Sequence, residues 1–386
     1  MDPYLTDVLD VILRMLHVIA GIAWIGASFY FVRLDLGLRR PKRSEDEEAG
    51  VAGEFWGVHG GGLYHSQKYR LAPAEMPEPL HWFKWEAYTT WLSGFALMVL
   101  LYYLDANLRL VDPEIADLEA WQAVALSIAG LVVAWLVYDV LCRTIGERSQ
   151  AALAVLGVGL VALAAWAAGE LFAARAAYLQ VGAMLGTIMV ANVLLVIIPA
   201  HRKLVRAMKE KREPDPAPLV RAKDRSVHNN YLTLPVLFTM LAGHFAFTFG
   251  ADEAWLVLVA IAVLTALVRV FFNRWHAGRR VWWIPAVVAA GAVALALWLQ
   301  PETASAPARP VAFEEVAPVI ADRCASCHSG AAAPLGIRLE TREQIEARID
   351  DIERQAVQTR AMPPGNVTGM TEDERELLAA WIASMR

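Results

Sequence analysis

Two cysteines three positions apart, followed at once by a histidine, stand near the end of the chain as Cys324-Ala325-Ser326-Cys327-His328. That spacing is the signal for c-type haem attachment. Both thiols can add to the vinyl groups of one porphyrin, and the adjacent histidine is placed to take the iron from one face. The chain has 3 cysteines in all, so two of them in this arrangement carry weight. Half of a zinc site is the alternative, but it needs two further Cys or His ligands, and none follows His328. Cys142, in an apolar run, reads as a small buried residue. For the sixth position on the iron the best residue is Met362, in Arg360-Ala361-Met362-Pro363-Pro364-Gly365-Asn366. A methionine there raises the potential of a haem. Met370 and Met385 are weaker choices. The expected site for one covalent haem c is therefore Cys324, Cys327, His328 and Met362.

Such a haem must be carried to the outer side of a membrane, and the rest of the chain has the composition to do it. Of the 386 residues 57% are apolar and 14 are Trp, with a mean hydropathy of +0.38. Several apolar runs reach the length needed to cross a bilayer. The expected fold is all-α: an integral membrane bundle of about eight transmembrane helices plus a small class I-like cytochrome c domain. The runs lie at about 10–32, 83–104, 121–142, 150–168, 176–200, 232–250, 254–274 and 281–299. The domains are then residues 1–299, a Pro/Ala-rich linker at 300–310, and a tail at 311–386. In the tail, Phe313 to Arg323 predicts a helix into the haem motif. Thr371 followed by Glu372, Asp373 and Glu374 predicts a helix start, with Leu377, Leu378, Trp381 and Ile382 on one face. So short a domain has little core of its own, and the haem is expected to supply it.

Charge sets the orientation. The net charge of −5 says little, because the charges are segregated, and nothing points to nucleic acid. The first connection carries Arg33, Arg39, Arg40, Lys42, Arg43, Lys68 and Arg70. The fifth runs from Arg202 and Lys203 to Arg221, Lys223 and Arg225. The second (Asp105, Asp112, Glu114, Asp117, Glu119) and the sixth (Asp252, Glu253) are acidic. Positive loops stay inside, so both termini are expected on the periplasmic face of a bacterial inner membrane. The start of the chain lacks the basic region of a cleavable signal peptide, so topology must deliver the tail.

Ionisable residues inside a membrane mark function by default. His17, in the first run, and His244, in the sixth, lie at equal depth in the outer half. That is what a pair of axial ligands to one haem b requires; hydrogen bonding of each to a neighbouring helix is the alternative. On the inner side, Trp56 to Tyr69 includes Gly60-Gly61-Gly62, His65 and Lys68; Leu80 to Tyr88 includes His81 and Glu86; and Asp224 to Tyr231 includes Arg225, His228 and Asn229. The glycines would let backbone approach a ligand closely. His65 and Lys68 would share a face if locally helical, and His81 and Trp85 would stand one turn apart on a helix. An interfacial belt of aromatic and basic residues is the bland alternative, but a belt does not ask for Gly-Gly-Gly beside His and Lys. A binding site is expected there. Asp139 and Arg269, near the inner ends of their runs, are expected to pair.

The stretches Ala23-Trp24-Ile25-Gly26-Ala27-Ser28-Phe29-Tyr30-Phe31, Val58 to Lys68, Leu80 to Gly94 and Asp224 to His244, followed by the haem motif, resemble the membrane-integral urate oxidase (urate hydroxylase) family with its C-terminal cytochrome c domain. His17-x6-Trp24 is more weakly similar to the first helix of membrane protoporphyrinogen oxidases, where the histidine holds haem b. The resemblance implies oxidation of urate to 5-hydroxyisourate at the cytoplasmic side without hydrogen peroxide. It implies electrons passing through haem b, one or two, to haem c and then to a soluble cytochrome c or terminal oxidase. His65, Lys68, His81, Glu86, Arg225, His228 and Asn229 become the candidate catalytic residues, His81 and His228 being bases or ligands of a second haem b. A quinol or other small-molecule dehydrogenase on the same scaffold, a redox-linked transporter and a non-catalytic haem-bearing anchor remain the rival readings.

Overall fold

Long apolar runs satisfy their backbone groups within their own helices, and the computed structural model, which describes residues 3–300, 310–331 and 333–385, is built mainly of helix. Helix α1 (Pro3–Gly37) has 35 residues. At 1.5 Å per residue it is about 50 Å long, well beyond a hydrocarbon core of roughly 30 Å. Helix α2 (Trp85–Met98) continues through a π turn at Val99–Tyr103, and α3 (Ala120–Leu141) through another at Cys142–Gly146. Then come α4 (Gln150–Gly169) and α5 (Ala174–Ala191), which runs on through a π turn at Asn192–Ile197 to a further helix, Ile198–Lys209. Helices α6 (Ala217–Leu241), α7 (Ala254–His276) and α8 (Trp283–Trp298) complete the bundle.

Helix α5 is the centre. Its most apolar window is 56% buried, against 6–17% for α1, α3, α4 and α7. Ala176, Ala177, Tyr178, Val181 and Leu185 of α5 meet Ala123 of α3, Ala165 and Ala168 of α4 and Leu258 of α7. Small residues at these contacts let the helices approach closely. The low burial of the outer helices leaves apolar faces turned outward, as lipid requires. Among the described residues, five helices are long and apolar enough to cross a membrane: Tyr4–Gly37, Ala120–Gly146, Gln150–Gly169, Ala174–Lys209 and Ala254–His276. Trp283–Trp298 is apolar but shorter. Helix α6 falls outside this set because its first half is charged, with Arg221, Lys223, Asp224 and Arg225. It also ends early. Leu241 gives way to a short 3₁₀ turn, Ala242–His244, so the expected sixth run is not one helix to residue 250.

The fold is not wholly helical. Strands β1 (Val51–His59) and β2 (Gly62–Tyr69) form an antiparallel hairpin in which His59 pairs with Gly62 and Trp56 with His65. Gly60 (φ 56°) and Gly61 (φ 80°) are the two central turn residues. A two-residue hairpin loop favours positive φ at both, which glycine adopts freely. The glycine run therefore makes the turn and is not a cradle for a ligand.

The tail contains α9 (Phe313–Arg323) and α10 (Glu372–Ser384). Thr371 caps α10 in a reciprocal box: Thr371 N donates to Glu374 Oε2 at 2.8 Å and Glu374 N to Thr371 Oγ1 at 3.3 Å. Val316, Ile320, Met370, Leu378, Trp381 and Ile382 are buried together, so this domain does have a side-chain core of its own. The expected linker, except Gln300 and Pro310, lies outside the described residues. The tail nevertheless has a defined seat. Gly250 lies so close to it that a Cβ there would stand 2.0 Å from the Thr359 carbonyl oxygen. A Cβ on Gly365 would stand 2.7 Å from that of Leu108. Ala361 packs against the core cluster of the bundle. The two connections touched are the one after α2 and the one before α7.

Candidate functional site

In the tail, α9 ends at Arg323 and delivers Cys324, Cys327 and His328 on the following turn. Both cysteines are free thiols, Cys327 exposed and Cys324 half-buried; burial pushes the Cys324 thiol up to about 11. His328 Nδ1 lies 3.0 Å from the Ile337 carbonyl oxygen. A carbonyl only accepts, so Nδ1 carries the proton and Nε2 keeps its lone pair for a metal. This is the outer-shell bond that orients a ligating histidine. The Met362 backbone is pinned on both sides: its N–H donates to the Gln355 carbonyl at 2.9 Å, and its own carbonyl accepts from Arg375 at 2.9 Å. Its side chain is 37% exposed, whereas Met370 is fully buried in the core. Of the two, Met362 has the free sulfur. These residues fit a haem held by two thioethers and one imidazole.

At the opposite end of the bundle the hairpin lies beside the end of α1. His65 Nε2 stands 2.9 Å from Glu54 Oε2, and its ring stacks on Trp56 with centroids 4.1 Å apart. Lys68 does not share that face. Three positions along a strand reverse the side, and Lys68 pairs instead with Asp35 of α1, which Lys223 also meets at 3.2 Å. Glu54, Phe55 and Trp56 line a cavity of about 300 Å³ with Arg33, Arg39, Arg40 and Lys42. His81 lies ahead of α2 and not on it, with its Nε2 4.0 Å from Glu86 Oε1 in the first turn.

Arg225, Asn229 and His228 of α6 enter a buried polar network. Arg225 Nη2 donates to Asp139 Oδ1 at 2.7 Å, and its guanidinium lies 4.8 Å from the centre of the Tyr138 ring. Asn192, on the π turn of α5, donates to Asn229 Oδ1 at 2.9 Å, and Asn229 donates to the Met189 carbonyl at 2.9 Å. His228 has Tyr138 Oη 2.8 Å from Nδ1 and Gln150 Oε1 3.0 Å from Nε2. Donation by the tyrosine hydroxyl and acceptance by Gln150 make this a neutral imidazole. The expected partnership of Asp139 with Arg269 is not formed. Asp139 serves Arg225 and Arg143, while Arg269 Nη2 donates to Asn230 Oδ1 and Asn273 Oδ1, both at 3.1 Å.

His17 is held by its Nδ1 near the Thr90 carbonyl oxygen at 2.9 Å and Ser93 Oγ at 3.2 Å. Gly94 makes room: a Cβ there would lie 2.8 Å from His17 Cε1. Nε2 faces Met240 Sδ at 3.3 Å. The side chain set against this nitrogen is thus Met240, on the last turn of α6, and His244 is exposed at the end of the 3₁₀ turn beyond it.

A family model described as urate oxidase N-terminal matches residues 3–300. The chain belongs to that family. The match takes in the bundle and the hairpin and stops before the tail. No curated protein and no solved structure matches the chain. Membership points to urate oxidation, an oxidoreductase reaction, and the five apolar helices point to a membrane. Within this urate oxidase fold, reading the sequence missed Glu54 behind His65, Met240 against His17 and Asp139 under Arg225. The first was findable: Gly60-Gly61 between β-prone residues signals a hairpin and puts residues 54 to 65 on paired strands. The other two depend on helix packing that no local pattern encodes.

Proposed function

We propose that this protein oxidises urate to 5-hydroxyisourate on the cytoplasmic side of a bacterial inner membrane and exports the electrons to a haem c in its periplasmic tail. Urate and water give 5-hydroxyisourate, two protons and two electrons. Cys324, Cys327, His328 and Met362 would hold a haem c, and that group when bound would supply a one-electron acceptor of raised potential. His17, with His244 or the nearer Met240, is where a haem b would be held. A soluble cytochrome c or a terminal oxidase takes the electrons onward, so no hydrogen peroxide is formed.

The observation that supports this reading is the union of a urate oxidase-family bundle with a tail that carries Cys324, Cys327 and His328, the last bonded through Nδ1 to the Ile337 carbonyl. The chain's own residues supply the rest. The cavity cations Arg33, Arg39, Arg40 and Lys42 draw an anion to the basic end of the bundle. His65, turned by Glu54, is the base that takes a proton from urate; a carboxylate behind an imidazole fixes its tautomer and orientation. Lys68 and Arg225 are occupied by Asp35 and Asp139, and Asn229 and His228 by their own network, so they position the helices around the site.

Anaerobic addition of urate to the purified, oxidised protein tests the proposal. Reduction of the c-type α-band by urate supports it. A haem that stays oxidised with urate and reduces with a quinol overturns it and leaves the quinol dehydrogenase reading.

A further inference from the structure

Two arginines are buried in the bundle, Arg225 (4% exposed) and Arg269 (5% exposed), and they are not equivalent. Arg225 has its counter-charge in Asp139. Arg269 has none: among the described residues only neutral oxygens meet it. Asn230 Oδ1 accepts from Nε at 3.4 Å and from Nη2 at 3.1 Å, and Asn273 Oδ1 accepts from Nη2 at 3.1 Å. The guanidinium lies 3.7 Å from the centre of the Phe29 ring. Asn230 Oδ1 also accepts from Asn273 Nδ2 at 3.0 Å, so the amides that hold the cation are themselves locked. A buried charge is normally paired, and a ring face with two amide oxygens offsets only part of the cost of burying a full cation.

A second unmet group lies close by. His276 Nδ1 is buried and has no hydrogen-bond partner. It is within electrostatic reach of both Arg269 and Arg33. Arg33 in turn lines the cavity with Arg39, Arg40 and Lys42. The unpartnered imidazole nitrogen of His276 therefore stands between Arg33, at the surface cavity, and the buried Arg269.

We infer that Arg269 is the residue that receives the anionic substrate, a small planar anion with in-plane hydrogen-bond acceptors, and that Arg225 is not. Resting on the urate reading above, this assigns the charge recognition to the α1–α6–α7 contact. Arg269 Nη1, which bonds nothing among the described residues, and His276 Nδ1 are the groups left to meet the ligand. Asn230 and Asn273 hold the guanidinium plane in place, which suits bidentate recognition of a flat anion.

The test is equilibrium dialysis of radiolabelled urate against the full-length haem-loaded protein, kept reduced with dithionite so that urate is bound but not consumed. Haem content and thermal midpoint are measured on the same samples. Arg269→Gln should weaken urate binding about ten- to a hundredfold at unchanged haem content. Arg269→Lys, which keeps the charge and the fold but loses the fork, should weaken it about tenfold. Wild-type affinity in either folded variant overturns the assignment, as does a variant that loses haem while its urate affinity holds. A wild-type protein that binds no urate overturns the functional reading itself, and this assignment with it.

Discussion

Arg225 Nη2 and Asp139 Oδ1 meet at 2.7 Å with both side chains buried, and this pair ties α6 to α3. Removing Asp139 strands Arg225 in a medium that cannot solvate it, whereas removing Arg225 leaves Asp139 with Arg143. Asp139→Ala should destabilise the bundle by about 3–5 kcal/mol, read as a lowered unfolding midpoint in detergent. Replacing both with apolar residues of similar volume should recover most of that loss. A double variant no better than the single one would mean that Arg225 does more than neutralise Asp139.

The tail's attachment chemistry gives a second prediction. Cys324→Ser with Cys327→Ser should abolish haem that stays with the polypeptide on a denaturing gel, while the bundle still inserts. Met362→Ala should keep the covalent haem and lower its midpoint potential, because a thioether ligand favours the reduced iron. Redox titration of the tail's α-band reads this directly. Met370→Leu, a core substitution, should leave the potential where it was and cost less than about 1.5 kcal/mol of stability.

The pH dependence of tail stability follows from Glu374. Partial burial pushes its carboxyl up, but hydrogen bonds from Arg323 and from the Thr371 backbone pull it further down, and the net position is below the ordinary range. A depressed folded value means stability that is present above the unfolded value and lost as pH falls through the folded one. The pair is partly exposed, so its worth is about 1 kcal/mol or less. Wild type should exceed Glu374→Gln in thermal midpoint at pH 7, and the difference should shrink as pH falls below the ordinary carboxylate range. A difference that persists in acid would place the effect in the helix cap.

Gly250 gives a fourth test. Any side chain there collides with the Thr359 carbonyl, 2.0 Å from an ideal Cβ. Gly250→Val should unseat the tail without unfolding either domain. Tryptic release at Arg309 should quicken, and reduction of the tail by urate should slow, with near-wild-type thermal midpoints. Wild-type rates in both assays would show that the contact does not hold the tail.

The helices were legible in the sequence wherever an apolar run was long. Phe313 to Arg323 and the Thr371–Glu374 cap were legible as well, because caps and amphipathic faces are local chemistry. The expected ligand cradle fails because Gly60 and Gly61 answer a demand of backbone geometry. A shared face for His65 and Lys68 required a local helix, and on a strand the period is two. The partners of Asp139, Arg269 and His17 were not legible. They depend on which helices touch, and α3 meets α6 at Arg225 in place of α7 at Arg269. Depth in the membrane gave His17 and His244 the same height but said nothing of the break after Leu241 that puts Met240 against the ring.

The seat of the tail has a consequence for how the two domains are joined. A tether alone limits how far a domain can stray and leaves its rotation free. Here the chain passes from bundle to tail covalently once, and again through the contacts of Thr359, Ala361 and Gly365 with the far connections of the bundle. The two passages close a ring. A closed ring fixes orientation as well as reach, so whatever Met362 faces is decided by the bundle and not by the length of the intervening segment.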